Sequence, residues 1–342
     1  MPELTLATAA AGTILASLIA YVLMGGADFG GGVWDLLASG PRKTEQREAI
    51  ARALGPIWEA NHVWLILVVV LLFVAFPAAF ARISIALHIP LTLLLVGIVL
   101  RGSAFTFRTY DSQRDQVQQR WGLVFSISSL LTPLLLGVCV GAITTGAVGT
   151  AQSGSFVDVY VRPWLTPFDL GVGLMTVTVC AFLAAVYLTN ETTGPLQEDF
   201  RRRALAAAVT VFAAAWGTLF LTGPAGAAMR ERLLRQPWSL PVQALIAVSA
   251  IVTLLALWRR QYRLARAAAP AQVTLILVGW ALTQYPYIVP PTLTVQDAAA
   301  PDATLALLLL ALGAGAVLLF PSLYYLFRIF KSRPQADQPG QP

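Results

Sequence analysis

Apolar runs of about twenty residues recur along this chain, each closed off by charge, glycine or proline. Each is long enough to cross the roughly 30 Å of hydrocarbon in a bilayer as a helix. In order they fall near residues 5–24, 57–79, 82–107, 122–148, 166–189, 203–222, 239–258, 271–288 and 303–330, about nine spans in all. None alternates as a lipid-facing strand would, so the predicted fold class is all-α and polytopic, with the helices arranged as bundles. Only 12% of the residues are charged, about half the share that a soluble domain carries. The join Phe76-Pro77-Ala78-Ala79-Phe80 is short enough to read as a tight turn, which makes the second and third spans an antiparallel hairpin. Residues 1–331 read as one transmembrane domain, and the polar, proline-rich residues 332–342 as a disordered tail.

A net charge of +6 could attract nucleic acid, but the basic residues do not form a continuous face. They sit in short clusters between spans, such as Arg42-Lys43, Arg201-Arg202-Arg203 and Arg259-Arg260, as membrane orientation requires. Their asymmetry places the N-terminus outside and the C-terminus in the cytoplasm, which demands an odd number of spans. A nucleic-acid partner is excluded on this pattern. Met1-Pro2-Glu3-Leu4 has no basic n-region, so the first apolar run is expected to be a retained span. Cys139 and Cys180 lie inside spans without metal or redox spacing and read as small core residues.

One stretch concentrates chemistry: Trp58-Glu59-Ala60-Asn61-His62-Val63-Trp64, which follows Gly55-Pro56-Ile57 and opens the second span. Pro56 suits a helix start. An ionisable residue entering hydrocarbon is a functional candidate by default. Asp28 follows the first span and Arg101 lies near the end of the third, so Asp28, Glu59 and Arg101 converge on one leaflet. Glu59 and Arg101 can be a neutralising pair that pins two helices, or part of a path that passes protons inward through a carboxylate of adjustable pKa. The glycines of Gly25-Gly26-Ala27-Asp28-Phe29-Gly30-Gly31-Gly32 lack the spacing of a phosphate loop. They are expected to break the helix and let backbones approach closely. His62 and His88 fall near opposite ends of their spans, on the order of 15 Å apart in depth, too far to ligate one haem between them. Arg108 reads as an interfacial anchor, and Tyr285-Pro286-Tyr287 as part of an aromatic belt.

Gly26-Ala27-Asp28-Phe29-Gly30, Trp58 to Ile66, Leu100-Arg101-Gly102, Ala181 to Thr192, Tyr285-Pro286 and Asp297 to Pro301 together resemble subunit II of the cytochrome bd-type quinol oxidases. The Glu59 and His62 forms are similar to the cyanide-insensitive branch. The resemblance covers nearly the whole chain, in order. It implies a multi-pass subunit of a bacterial cytoplasmic membrane that binds no cofactor itself. Its partner would be a haem-bearing subunit I holding haem b and haem d, with room for a small accessory subunit and for membrane lipid and quinone. The complex would oxidise quinol and reduce dioxygen to water, taking protons from the cytoplasm. Carried over by position, Glu59, Asp28, Trp58 and Arg101 would serve the proton path and support the partner's haem site. Gly25 and Thr106 depart from the family pattern, where some members carry acids. The rival reading is a proton-coupled secondary transporter, which predicts two repeated halves and a midplane site; the sequence shows neither.

Overall fold

The computed structural model describes residues 5–54, 58–110, 115–150, 154–224 and 226–331. Among these, the side chains of residues 58–60, 108–110, 115–119, 327 and 329–331 lie outside the description, as do Pro56 and the tail 332–342. The chain is helical almost throughout. Its elements are α1 (Leu6–Leu36), α2 (Lys43–Leu54), α3 (Trp58–Ala75), α4 (Pro77–Ala86), α5 (His88–Tyr110), α6 (Asp115–Thr144) and α7 (Ala147–Thr150). They continue with α8 (Phe156–Tyr160), α9 (Pro167–Glu191), α10 (Gly194–Phe220), α11 (Ala227–Arg235), α12 (Ser239–Trp258) and α13 (Tyr262–Gln284). A small antiparallel hairpin, β1 (Tyr287–Val289) and β2 (Leu293–Thr294), precedes the last helix, α14 (Asp302–Lys331).

Among the described residues eight helices are long and apolar enough to span a membrane, or nine if the bent pair α3–α4 counts as one. Local chemistry sets several starts. Thr166 caps α9 by accepting from the Asp169 amide while Asp169 reaches back to the Thr166 amide, and Pro167 occupies the first turn. Thr5 caps α1 through the Thr8 amide. Inside the spans, Ser129 and Thr132 donate to carbonyls one turn back at 2.7 Å each, which satisfies their hydroxyls where no solvent competes.

Two expectations from the sequence need correction. The glycine-rich stretch does not break α1, which runs on to Leu36 and carries Asp28 inside the helix. With side chains absent, α1 approaches its neighbours instead: a Cβ on Gly30 would strike the Cys180 carbonyl of α9, and one on Gly32 the Ser129 side chain of α6. The segment at Pro77 is not a hairpin turn. Pro77 opens the ten-residue α4, which leaves α3 at 119°, and a second break at Leu87 precedes α5. His88 is therefore the first residue of α5, exposed, with its ring against Tyr160 and Nδ1 3.0 Å from the Ile85 carbonyl.

The interior divides into clusters. One packs Trp34, Ile50, Phe125, Phe182, Phe200 and Leu257 near the ends of α1, α9, α10 and α12 that carry most charged residues, called the charged end below. A second packs Phe76, Leu87, Cys139, Val148, Val289 and Leu305 at the opposite end. A small third cluster holds Tyr21, Phe29 and Cys180. Outward, α12 and α14 expose Leu245, Val248, Ile251, Leu310, Val317 and Leu318, as helices facing lipid or another apolar surface do.

Candidate functional site

The close approach of α1 to α6 and α9 carries a carboxylate into the interior. Asp28 is 6% exposed, and Asn61 of α3, equally buried, donates from Nδ2 to its Oδ2 at 2.6 Å. Arg101 of α5 is 2% exposed and donates from Nε to Ser129 Oγ at 3.2 Å. Its guanidinium lies 5.0 Å from the Phe29 ring centre and 5.3 Å from that of Phe125, so two aromatic faces replace part of its hydration. Arg101 also acts electrostatically on Asp28. His62 packs beside Tyr21 and Phe29, at 5.9 and 5.8 Å between ring centres.

Of the sequence candidates, then, Asp28 and Arg101 are brought together, with Asn61 as the direct partner of Asp28. Trp58 and Glu59 lie in the first turn of α3. Their side chains, and with them a Glu59–Arg101 pair, fall outside the described residues. The two departures from the family pattern are locally consistent. A side chain on Gly25 would crowd the Tyr21 ring at 2.9 Å, and Thr106 spends its hydroxyl on the Gly102 carbonyl of its own helix at 3.1 Å.

Sequence reasoning passed over several buried or paired polar groups. Asp35, 1% exposed, accepts from Ser126 Oγ at 3.0 Å and lies 3.8 Å from Arg47 Nε. Its signal was present: Asp28, Gly32 and Asp35 repeat at the i, i+4, i+7 spacing of one helix face. At the charged end Arg42 donates twice to Asp199, at 2.8 and 2.6 Å. Gln46 joins the same carboxylate at 3.1 Å and receives Arg203 Nη2 at 2.6 Å, which pins α2 to α10. Donating twice to the Asp199 carboxylate raises the pKa of the Arg42 guanidinium above its ordinary value.

A cavity of about 280 Å³ opens between α1, α2, α3, α9 and α13. Asp28 and Asn61 line its interior, and Glu191 and Arg266 line it at the charged end. The two histidines do not fit a shared haem. His62 belongs to the Tyr21–Phe29 group and His88 to an exposed stack on Tyr160, so the imidazoles sit in separate clusters.

The family described as cytochrome bd terminal oxidase subunit II matches residues 6–330. The chain belongs to that family. Among curated relatives of this subunit II family, the chain is similar to cytochrome bd ubiquinol oxidase subunit 2 of Bacillus subtilis. It is 28% identical to it over 196 residues, 57% of this chain and 56% of that one. Identity to cytochrome bd-I ubiquinol oxidase subunit 2 of Escherichia coli K12 is also 28%, over 56% of this chain and 50% of that one. The chain thus spans about half the length of these two curated relatives. A putative cytochrome bd menaquinol oxidase subunit II of B. subtilis aligns over 91% of both chains at 21% identity. Among solved structures, the bd oxidase from Geobacillus thermodenitrificans shares the fold at a TM-score of 0.79, with 23% identity over 97% of this chain and all of that one. These matches give the transporter reading no support.

Proposed function

We propose that this chain is the haem-free subunit II of a quinol:dioxygen oxidoreductase in a bacterial cytoplasmic membrane. In this reading it packs against a haem-bearing subunit I, and the complex oxidises quinol and reduces dioxygen to water. The haems b and d and the quinol site belong to the partner, while lipid, quinone and a small accessory subunit can attach at the outward apolar faces. Residues 1–331 act as one transmembrane unit. The charged end faces the cytoplasm, supported by Arg42, Lys43, Arg201, Arg202, Arg203, Arg259 and Arg260 gathered there.

The observation that carries the reading is the buried Asp28 carboxylate, held by Asn61 and lining a cavity that reaches the charged end. A carboxylate inside a span is costly, and its presence there marks a functional site by default. Asp28 takes up a proton arriving from the cytoplasm and releases it toward the partner's reaction site. Asn61 orients the carboxyl through Oδ2. Arg101, fixed by Ser129 and two rings, offsets the negative charge whenever Asp28 is unprotonated. Glu59, two residues ahead of Asn61 on α3, serves as a further acid on the route, with Trp58 beside it supporting the partner's haem site.

The test is Asp28→Asn in the purified complex. The amide is nearly isosteric but carries no transferable proton. Dioxygen consumption should fall at least about tenfold, below the lower end of what losing a positioned proton-transfer group costs, with haem content retained. Turnover at the wild-type rate would remove Asp28 from the route.

A further inference from the structure

The cavity beside Asp28 has a second wall that the reading above does not use. Ala184, Tyr187, Leu188 and Glu191 of α9 line it, at the i, i+3, i+4, i+7 spacing of a single helix face. Glu191 is the last residue of α9, and its Oε1 lies 3.5 Å from Arg266 Nη1 of α13, each side chain 42% exposed. Both side chains reach solvent there, so the Glu191 carboxylate stands at the mouth of the cavity with Arg266 beside it. Further in, the Tyr187 hydroxyl donates to the Leu23 carbonyl at 3.4 Å. One cavity therefore joins a solvent-facing carboxylate to a buried one. A buried water needs roughly 10–15 Å³ of such space and two to four polar partners. The 280 Å³ here has room for a file of waters, with polar groups at both ends and Tyr187 between.

We infer that this cavity is a hydrated proton intake and that Glu191 is its proton-collecting group, positioned by Arg266. The inference rests on the reading of Asp28 as proton acceptor and adds the residue from which Asp28 is loaded. The Glu191 carboxyl gives its proton to the water file, the file delivers one to the Asp28 carboxylate, and Glu191 is reprotonated from solvent. Arg266 holds the Glu191 carboxylate at the mouth between deliveries. Tyr187 keeps the file in place as a fixed hydroxyl on the wall.

The experiment uses the whole complex, fully reduced and mixed with dioxygen, and follows proton uptake with a pH-indicator dye. The dioxygen-binding phase, which takes up no proton, is followed in the same trace. Four variants are compared: Glu191→Gln, Glu191→Asp, Ala53→Phe and Asp28→Asn. Ala53 lines the cavity from α2, so its replacement by phenylalanine fills the space without altering either carboxyl. Glu191→Gln and Ala53→Phe are expected to slow uptake at least fivefold, Glu191→Asp to recover most of the rate, and the binding phase and haem content to stay unchanged. Wild-type uptake in Glu191→Gln and Ala53→Phe, with Asp28→Asn slow, overturns the intake and leaves the Asp28 reading standing. Wild-type uptake in Asp28→Asn as well overturns both. Equal slowing in Glu191→Gln and Glu191→Asp removes the acid role of Glu191.

Discussion

Replacing Asn61 by leucine removes the donor that Asp28 has among the described residues while keeping the size of the side chain. The bond is 2.6 Å long and joins two side chains that are each 6% exposed. A buried polar group left without its partner costs about 1–3 kcal/mol, and more when it is charged. Membrane complexes of this size denature irreversibly, so the loss is read as a rate. If the bond is broken before the unfolding barrier is crossed, about 1–3 kcal/mol shortens the half-life at a fixed temperature about 5- to 150-fold. The assay is the decay of monodisperse complex, by size-exclusion chromatography, after timed heating in detergent. Asn61→Gln, which keeps an amide N–H donor and leaves Asp28 and Arg101 untouched, provides the internal control and should outlast Asn61→Leu. A half-life in Asn61→Leu within twofold of wild type, or an Asn61→Gln variant that decays as fast as Asn61→Leu, would refute the reasoning.

Two further perturbations test other parts of the fold. Gly30→Leu drives a side chain into the Cys180 carbonyl and should abolish assembly of the complex, whereas Gly12→Ala meets no atom within 4 Å and should purify at wild-type yield; recovery of intact complex with Gly30→Leu would show that α1 and α9 do not need their close contact. In the loop outside the spans, hydrogen bonds from Ser155 and the nearby Arg162 hold the Asp158 carboxyl below the usual carboxylate range. A lowered folded-state value means that the stabilisation of α8 is full above the ordinary carboxylate pKa of about 4 and is lost as pH falls through the lowered value. Asp158→Asn should therefore raise proteolytic cleavage within 155–165 already at pH 7, and equal cleavage of both proteins would count against the cap.

The spans were legible because hydrocarbon admits few backbones, and runs such as 166–189 and 239–258 match α9 and α12 within a few residues. Helix α1 was misjudged where glycine propensity was weighed as it is in water. Inside a bundle, the contacts that Gly30 and Gly32 permit outweigh the entropy that glycine loses. Asp28 and Arg101 could be picked out as charges in apolar surroundings. Asn61 could be placed only beside Glu59, because nothing in the sequence says which face of α3 meets α1. Asp35, despite its spacing from Asp28, and Glu191 are easily passed over for a related reason: both sit near helix ends, where an acid passes for ordinary interfacial polarity. The short amphipathic α2 was missed as well, since its hold on α10 depends on Arg42, Gln46 and Arg203 meeting Asp199 across more than 150 residues of sequence.

The 119° bend between α3 and α4 also matches the protein to its bilayer. As built, α3 has 18 residues and is about 27 Å long at 1.5 Å per residue, close to the hydrocarbon thickness. Were Phe76 and Pro77 replaced by helix formers, residues 58–86 could run as one rod of about 43 Å. Such a rod overshoots the apolar layer by more than a third and must tilt steeply or thicken the lipid around it. It would also pull Arg82 away from Thr292, to which its guanidinium donates at 2.8 Å. Phe76 and Pro77 thus act as a ruler: they stop α3 near the length of one crossing and send the remaining apolar turns away from its axis.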